Sequence, residues 1–392
     1  MAIDAHTALL LRLHLISGIG PTLGRRLLAL FDDPMRLLRA SGAELQRVER
    51  IGPAKARRIV EGLRASEAAA TDELRRCDQL GVHVVGLGSS AYPPLLAEQG
   101  DAPLVLFVRG DLACVRDGFN AAIVGSRRCT AYGMEQAERF AGALASAGIC
   151  VVSGGARGID SAAHRAAVRC NGATVAVLGC GLGRCYPPEN RELFDGIVDA
   201  GGAVVSELPV ETNPSPENFP ARNRIIAGLS LGIIVVEAPM GSGALITARL
   251  AVEQGREVMV VPGRVDSASS EGGHGLIKRS EAALVTSPAD VVDLLEPQAR
   301  HVHLGTHATL YADPQAPLPE TAVATTASSV SDAQRVVLEA ISGGGLTMEE
   351  LHRQTGLQPH VLRAEITMLE LSGRVRWDGS RLERRGPGGG RK

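Results

Sequence analysis

A doubly wound, mostly parallel α/β sheet, preceded by a small helical domain and followed by a winged helix, is the architecture this 392-residue chain predicts. Three observations carry that reading. From about residue 80, short apolar runs alternate with amphipathic stretches, the pattern of strand–helix–strand units. Small, glycine-rich turns stand at the carboxyl ends of several runs, where such sheets bind ligands. Towards both chain ends the pattern becomes helical, and the last helical segment leads into a short hairpin.

The first 66 residues read as short helices broken by Gly-Pro turns. Ile16-Ser17-Gly18-Ile19-Gly20-Pro21 leads to Arg25-Arg26, and Val48-Glu49-Arg50-Ile51-Gly52-Pro53 leads to Lys55 and Arg57-Arg58. Each is an apolar residue, a turn, then a helix with basic residues in its first turns. The pair is similar to a helix-hairpin-helix or SAM-like domain, whose hairpin amides contact duplex phosphates. A helical bundle used for packing fits the same pattern, and the second copy lacks the first glycine.

Residues 67–298 carry the sheet. Its strands are expected at Val82–Leu87, Leu104–Val108, Ala121–Val124, Ile149–Val152, Thr174–Leu178, Ala203–Ser206, Gly232–Val236 and Glu257–Val261. Amphipathic helices such as Met134–Ala147 and Ser161–Cys170 lie between them. Residues 299–330 lose all periodicity and read as a flexible linker. Residues 331–385 give three helical patterns, Ser331–Ile341, Thr347–Thr355 and Pro359–Ser372, with Thr347 and Gln358-Pro359 as helix starts. The hairpin Gly373–Trp377 with Ser380–Glu383 completes a winged helix-turn-helix, and 386–392 read as a disordered tail.

Composition narrows the function. Hydrophobic residues make up 45% and charged residues 21%, as in ordinary globular proteins. No apolar run approaches a membrane span, and the first 13 residues lack the pattern of a signal peptide, so a cytoplasmic protein is expected. Seven scattered cysteines with no C-x-x-C pair argue for free thiols rather than disulfides or zinc. Charge is uneven: net +5 over residues 1–66, −7 over 67–300 and +2 over 331–392. Any phosphate site in the acidic centre is therefore a focused arginine cluster.

Four loops supply such a cluster: Gly125-Ser126-Arg127, Ser153-Gly154-Gly155 leading to Asp160, Phe219-Pro220-Ala221-Arg222-Asn223-Arg224, and Gly241-Ser242-Gly243 with Thr247. A strand that opens through small residues into a helix leaves amides uncovered, and such amides hold phosphates. Of Arg222 and Arg224, two residues apart, one is expected to face the pocket and the other a carboxylate; the alternative is that both make structural ion pairs, with Glu207 and Glu237 as partners. Phe219 suits either a base-stacking platform or a core anchor. Arg157 suits either the ligand or a brace for its own loop. Ser126, Ser153, Ser242 and Thr247 have no histidine or carboxylate arranged to activate them, so they read as phosphate donors rather than nucleophiles. No catalytic residue, metal site or cofactor is predicted. Gly179-Cys180-Gly181-Leu182-Gly183 leads into Tyr186-Pro187-Pro188, which cannot open the helix that a dinucleotide fingerprint needs.

In order along the chain, Gly125-Ser126-Arg127, Tyr132-Gly133, Ser153–Asp160, Ala163-His164, Tyr186–Asn190, Ser206-Glu207, Phe219–Arg224, Glu237, Ser242-Gly243, Thr247-Ala248 and Val261-Pro262-Gly263 closely resemble the DNA-processing protein A family (DprA, also called Smf). The chain departs from the family pattern at Glu271–Ile277 and at Ser280-Glu281. The resemblance implies an extended Rossmann fold that dimerises and binds single-stranded DNA at the strand ends. It implies protection of incoming DNA and loading of the RecA recombinase during natural transformation. The residues it carries over are Arg127, Ser153–Gly155, Phe219, Arg222, Arg224, Ser242 and Thr247. The rival reading is a phosphoribohydrolase-like enzyme with Glu237 as its acid or base. A further alternative makes the winged helix a reader of duplex DNA.

Overall fold

The alternation of apolar and amphipathic stretches becomes a nine-stranded sheet in the computed structural model, which describes residues 3–31, 33–116, 118–303, 332–357, 361–362, 365–366, 369, 374–378 and 381–384. In chain order the strands are β1 (His83–Gly86), β2 (Val105–Gly110), β3 (Asn120–Gly125), β4 (Cys150–Ser153), β5 (Thr174–Leu178), β6 (Ala203–Ser206), β7 (Gly232–Glu237), β8 (Glu257–Val260) and β9 (Ala283–Leu284). They lie in the order β1-β2-β6-β5-β4-β3-β7-β8-β9. From β6 to β9 all neighbours are parallel, while β1–β2 and β2–β6 are antiparallel. The eight expected strands are present to within two residues at either end. β9 went unread because two residues carry no period.

The central strands are buried on both faces and read as unbroken apolar runs, as parallel strands do. Ala121, Ile123, Val151, Val177, Ile233 and Val235 are all fully buried. From β3 the chain winds outward through β4, β5 and β6, then returns to lay β7 against β3. That reversal opens a crevice at the carboxyl ends of β3 and β7. There the register slips between Val124 and Gly125, which brings Gly125 opposite Glu237.

The amino-terminal helices pack on the same unit. Asp4 caps the Ala5–His14 helix by accepting from the Thr7 amide at 2.9 Å. Both predicted turns form, each ending in a glycine N-cap followed by proline, Gly20-Pro21 and Gly52-Pro53. Gly18 takes φ +86°, and Arg50 takes φ +67° at the matching position. The second turn thus keeps the left-handed path without the glycine. The helix it opens runs unbroken from Pro53 to Gln79, so the boundary read at 66/67 falls inside a 27-residue helix. Ile59, Leu63, Ala70 and Cys77 form its buried stripe.

The chain divides into two compact units between Leu295 and Glu296. In the second, helices Asp332–Ala340 and Met348–Thr355 precede a hairpin of β10 (Val375–Asp378) and β11 (Arg381–Arg384). A Thr347–Glu350 capping box starts the second helix, and a bridge from Leu346 to Leu382 adds a third strand position, giving the expected winged helix. Val337, Leu351, Leu362, Ile366, Leu369 and Leu382 make its core. The helix start at Gln358-Pro359 and the tail 386–392 lie outside the described residues. Of the expected linker 299–330, residues 299–303 belong to the Pro288–His303 helix instead of a flexible segment, and the rest lies outside the described residues. The atypical stretch from Glu271 forms a helix to Lys278. Among the described residues, no helix is long and apolar enough to cross a membrane, and no cluster of metal-ligating side chains occurs.

Candidate functional site

A cleft of about 720 Å³ opens where β3 and β7 end. Gly125, Ser126, Arg127 and Arg128 from the β3 loop line it, with Ala156, Asp160, Tyr186 and the Pro214–Pro216 segment. Phe219, Arg222 and Asn223 come from the Asn218–Gly228 helix, and Ser242, Gly243 and Thr247 from the Gly243–Glu253 helix.

The β3 loop is held from behind by Glu237. The Ser126 amide donates to the Glu237 carbonyl at 2.7 Å. The Glu237 carboxylate accepts from the Thr130 amide at 2.8 Å, the Thr130 hydroxyl at 2.6 Å and the Ser269 hydroxyl at 3.3 Å. Thr130 in turn caps the Ala131–Ser146 helix. The Glu237 carboxylate thus clamps the start of the Ala131–Ser146 helix to the end of β7. The Ser126 hydroxyl accepts from the Arg128 amide at 3.1 Å, which fixes the turn that presents Arg127.

Gly158 completes this wall. It has φ +76°, and a Cβ there would lie 2.3 Å from the Ser126 carbonyl oxygen. The glycine lets the Ile159–Arg169 helix start directly against the β3 loop.

Beneath the cleft lies a buried charge pair. Burial raises the Asp160 carboxyl to about 6, against the pull of Arg222, and burial lowers the Arg222 guanidinium to about 10. The Ala156 amide donates to Asp160 at 3.3 Å. Arg222 donates to the Gly154 carbonyl at 2.6 Å and also to the Val177 carbonyl, so it ties together the ends of β4 and β5. Its Nε is buried without a partner. His164 is fully buried beside the Thr174 hydroxyl at 2.8 Å, and burial lowers it to about 3, which keeps it neutral.

At the mouth, side chains stack. The Arg127 guanidinium lies 4.9 Å above the Phe219 ring, and Tyr186 meets Phe219 at 5.4 Å. Arg157 lies 5.9 Å over Tyr186 and forms a two-pronged pair with Glu189, so it braces its loop. Phe219 is half-buried, one ring edge set against Gly179. On the opposite wall, Ser242 occupies the N-cap position of its helix but makes no cap bond, and its hydroxyl is buried without a partner. Thr247 donates to the Gly243 carbonyl at 3.2 Å, and Asn223 reaches the same oxygen at 3.4 Å.

Four of the expected contact residues lie off the cleft lining. Ser153 is fully buried and donates to the Ile123 carbonyl at 2.6 Å, which binds β4 to β3. Gly154 and Gly155 lie behind the cleft rather than on it; a Cβ on Gly154 would strike the Arg222 guanidinium at 2.6 Å. Arg224 points away, to Glu207 at 2.6 Å and Asp101 at 3.4 Å. Of the two arginines, Arg222 reaches the cleft and Arg224 takes the carboxylate. Tyr186, Arg128, Asp160 and Pro214–Pro216 line the cleft but were not among the expected contacts. The aromatic in Tyr186-Pro187-Pro188 was the available signal for the first.

A family model described as DNA recombination-mediator protein A matches residues 83–296. Others, described as a DprA winged helix domain and a SAM-like helix-hairpin-helix tandem, match residues 316–379 and 10–65. Protein Smf of Escherichia coli is 45% identical over 219 residues, covering 56% of this chain and 58% of its own length. Protein Smf of Synechocystis is 38% identical over 274 residues, 69% of this chain and 68% of its own. The solved DNA processing protein A of Streptococcus pneumoniae superposes with a TM-score of 0.63 at 33% identity, over 75% of this chain and 98% of that one.

Proposed function

Because the chain belongs to the DNA recombination-mediator protein A family, we propose that its cleft holds a run of single-stranded DNA. The observation that carries the reading is Arg127. It lies over Phe219 at the cleft mouth and is joined to no carboxylate by an ion pair among the described residues. A cation on an aromatic ring, beside a helix start with spare donors, suits a phosphate and its base together. Ser126, Asn223, Ser242, Gly243 and Thr247 add amides and hydroxyls along the path, while Arg222 supplies positive charge from below. The protein protects incoming DNA and promotes loading of the RecA recombinase as a homodimer during natural transformation; the family resemblance supports these roles. Its action is non-enzymatic, which the engagement of Glu237 by Thr130 and Ser269 supports.

Neutralising three to five phosphates gives a slope of log affinity against log salt of about −2 to −3.5 for single strands. Anisotropy with a labelled oligothymidylate measures it. Arg127→Ala lowers affinity and flattens the slope by roughly 0.7. Salt-independent binding, or an unchanged Arg127→Ala variant, overturns the reading, and release of free base from nucleoside monophosphates restores the enzymatic one.

A further inference from the structure

The amino-terminal helices reach the cleft wall through one buried carboxylate. Glu73 lies six residues before the end of the Pro53–Gln79 helix and is 5% exposed. Its Oε1 accepts the Val210 amide at 2.6 Å. Val210 is fully buried among the amino-terminal helices' apolar side chains, with Leu63, Cys77 and Phe107 in the same cluster. Its carbonyl accepts from the Gly183 amide at 2.8 Å, and the Thr212 carbonyl accepts from Gly181 at 2.9 Å. The strip from Pro209 to Thr212 is therefore clasped between the helix and the Gly181–Gly183 turn. Two residues further on, Pro214, Ser215 and Pro216 form the outer wall of the cleft.

We propose that Glu73 is a positioning residue for DNA binding, and that through it the helical layer forms the back of the binding wall. A buried acceptor of an otherwise unpaired amide fixes its donor in place, because neither group finds water when the bond breaks. The Pro214–Pro216 segment carries no helix or strand of its own, so its path depends on where the clasp releases it. The same helix starts at the Gly52-Pro53 turn, about 30 Å away along its axis. The inference rests on the cleft being the DNA site.

The test uses the full chain and a labelled oligothymidylate. Glu73→Ala is expected to weaken binding roughly tenfold at every salt concentration with the salt slope unchanged, since no phosphate contact is lost. Glu73→Gln, which keeps an acceptor oxygen, restores most of the affinity. Hydrogen exchange at Val210–Asn213 rises in the alanine variant. If Glu73→Ala does not fold, Glu73→Asp, whose shorter arm withdraws the oxygen from Val210, replaces it with the same expected loss. A folded variant without the Glu73 oxygen that binds like wild type overturns the proposal, as does a Gln variant as weak as the Ala one. Arg127→Ala, run alongside, separates the two failures. If it binds like wild type, the cleft reading falls; if it alone is weakened, only the role of Glu73 falls.

Discussion

Arg224 closes an ion pair on Glu207, its Nη2 2.6 and 2.7 Å from the two carboxylate oxygens. Arg222, two residues earlier in the same helix, lines the cleft. The Asn218–Gly228 helix thus sends one arginine to the cleft and the other to a carboxylate. Both partners of the pair are mostly buried, with side chains 13% and 16% exposed. Arg224→Ala leaves the Glu207 carboxylate desolvated and is expected to cost about 3 kcal/mol of stability. Urea denaturation measures the loss, and an effect under 1 kcal/mol contradicts the assignment.

Gly158→Ala tests the close approach behind the β3 loop. The new methyl group meets a backbone oxygen in a conformation that L side chains avoid. A loss of about 2 kcal/mol is expected, together with weaker DNA binding as the Ser126–Arg127 turn is displaced. Gly20→Ala, where a Cβ meets nothing within 4 Å, is the mild control.

Asp160 gives stability a pH dependence of known sign. Its folded-state value of about 6 lies above the ordinary 3.8. The folded protein therefore holds this proton more tightly than the unfolded chain. Its contribution is complete below about pH 4 and is lost as pH rises through 6. Asp160→Asn removes that dependence, so the stability gap between variant and wild type widens in the variant's favour from pH 4 to 7. A constant gap across that range refutes the shift.

Phe219 separates stacking from packing. Phe219→Ala is expected to weaken single-strand binding by about 1–3 kcal/mol, and Phe219→Trp to keep it. If the ring were only a packing anchor, thermal stability would fall in the alanine variant while affinity of the folded fraction held.

The Cys114 and Cys150 sulfurs lie 3.0 Å apart, both as free thiols. Diamide, a two-electron oxidant, is expected to join them, removing two hydrogens that mass spectrometry of tryptic peptides detects. Cys114→Ser abolishes the product. A pairing between other cysteines would contradict the geometry.

The sheet was legible because its strands are buried on both faces and spell continuous apolar runs such as Ile233–Val236. The cleft was legible because the residues that open a strand into a helix are small. What stayed hidden was partner choice. Ser153 and Ser126 look alike in sequence, yet one donates into the sheet and the other shapes the cleft. Arg222 and Arg224 are chemically identical, and only the helix's orientation sorts them. The Glu73–Val210 bond joins residues 137 apart, and nothing local announces it.

Arg50 holds the left-handed turn that Gly18 holds in the first copy. A side chain there costs about 1 kcal/mol in backbone conformation. The two halves of the amino-terminal region therefore repeat a path in space while spelling it differently. A comparison of letters undercounts the duplication, and one of torsion angles recovers it. The arginine also sets a long charged side chain at the apex of one turn and none at the other, so the two turns, alike in backbone, offer unlike surfaces.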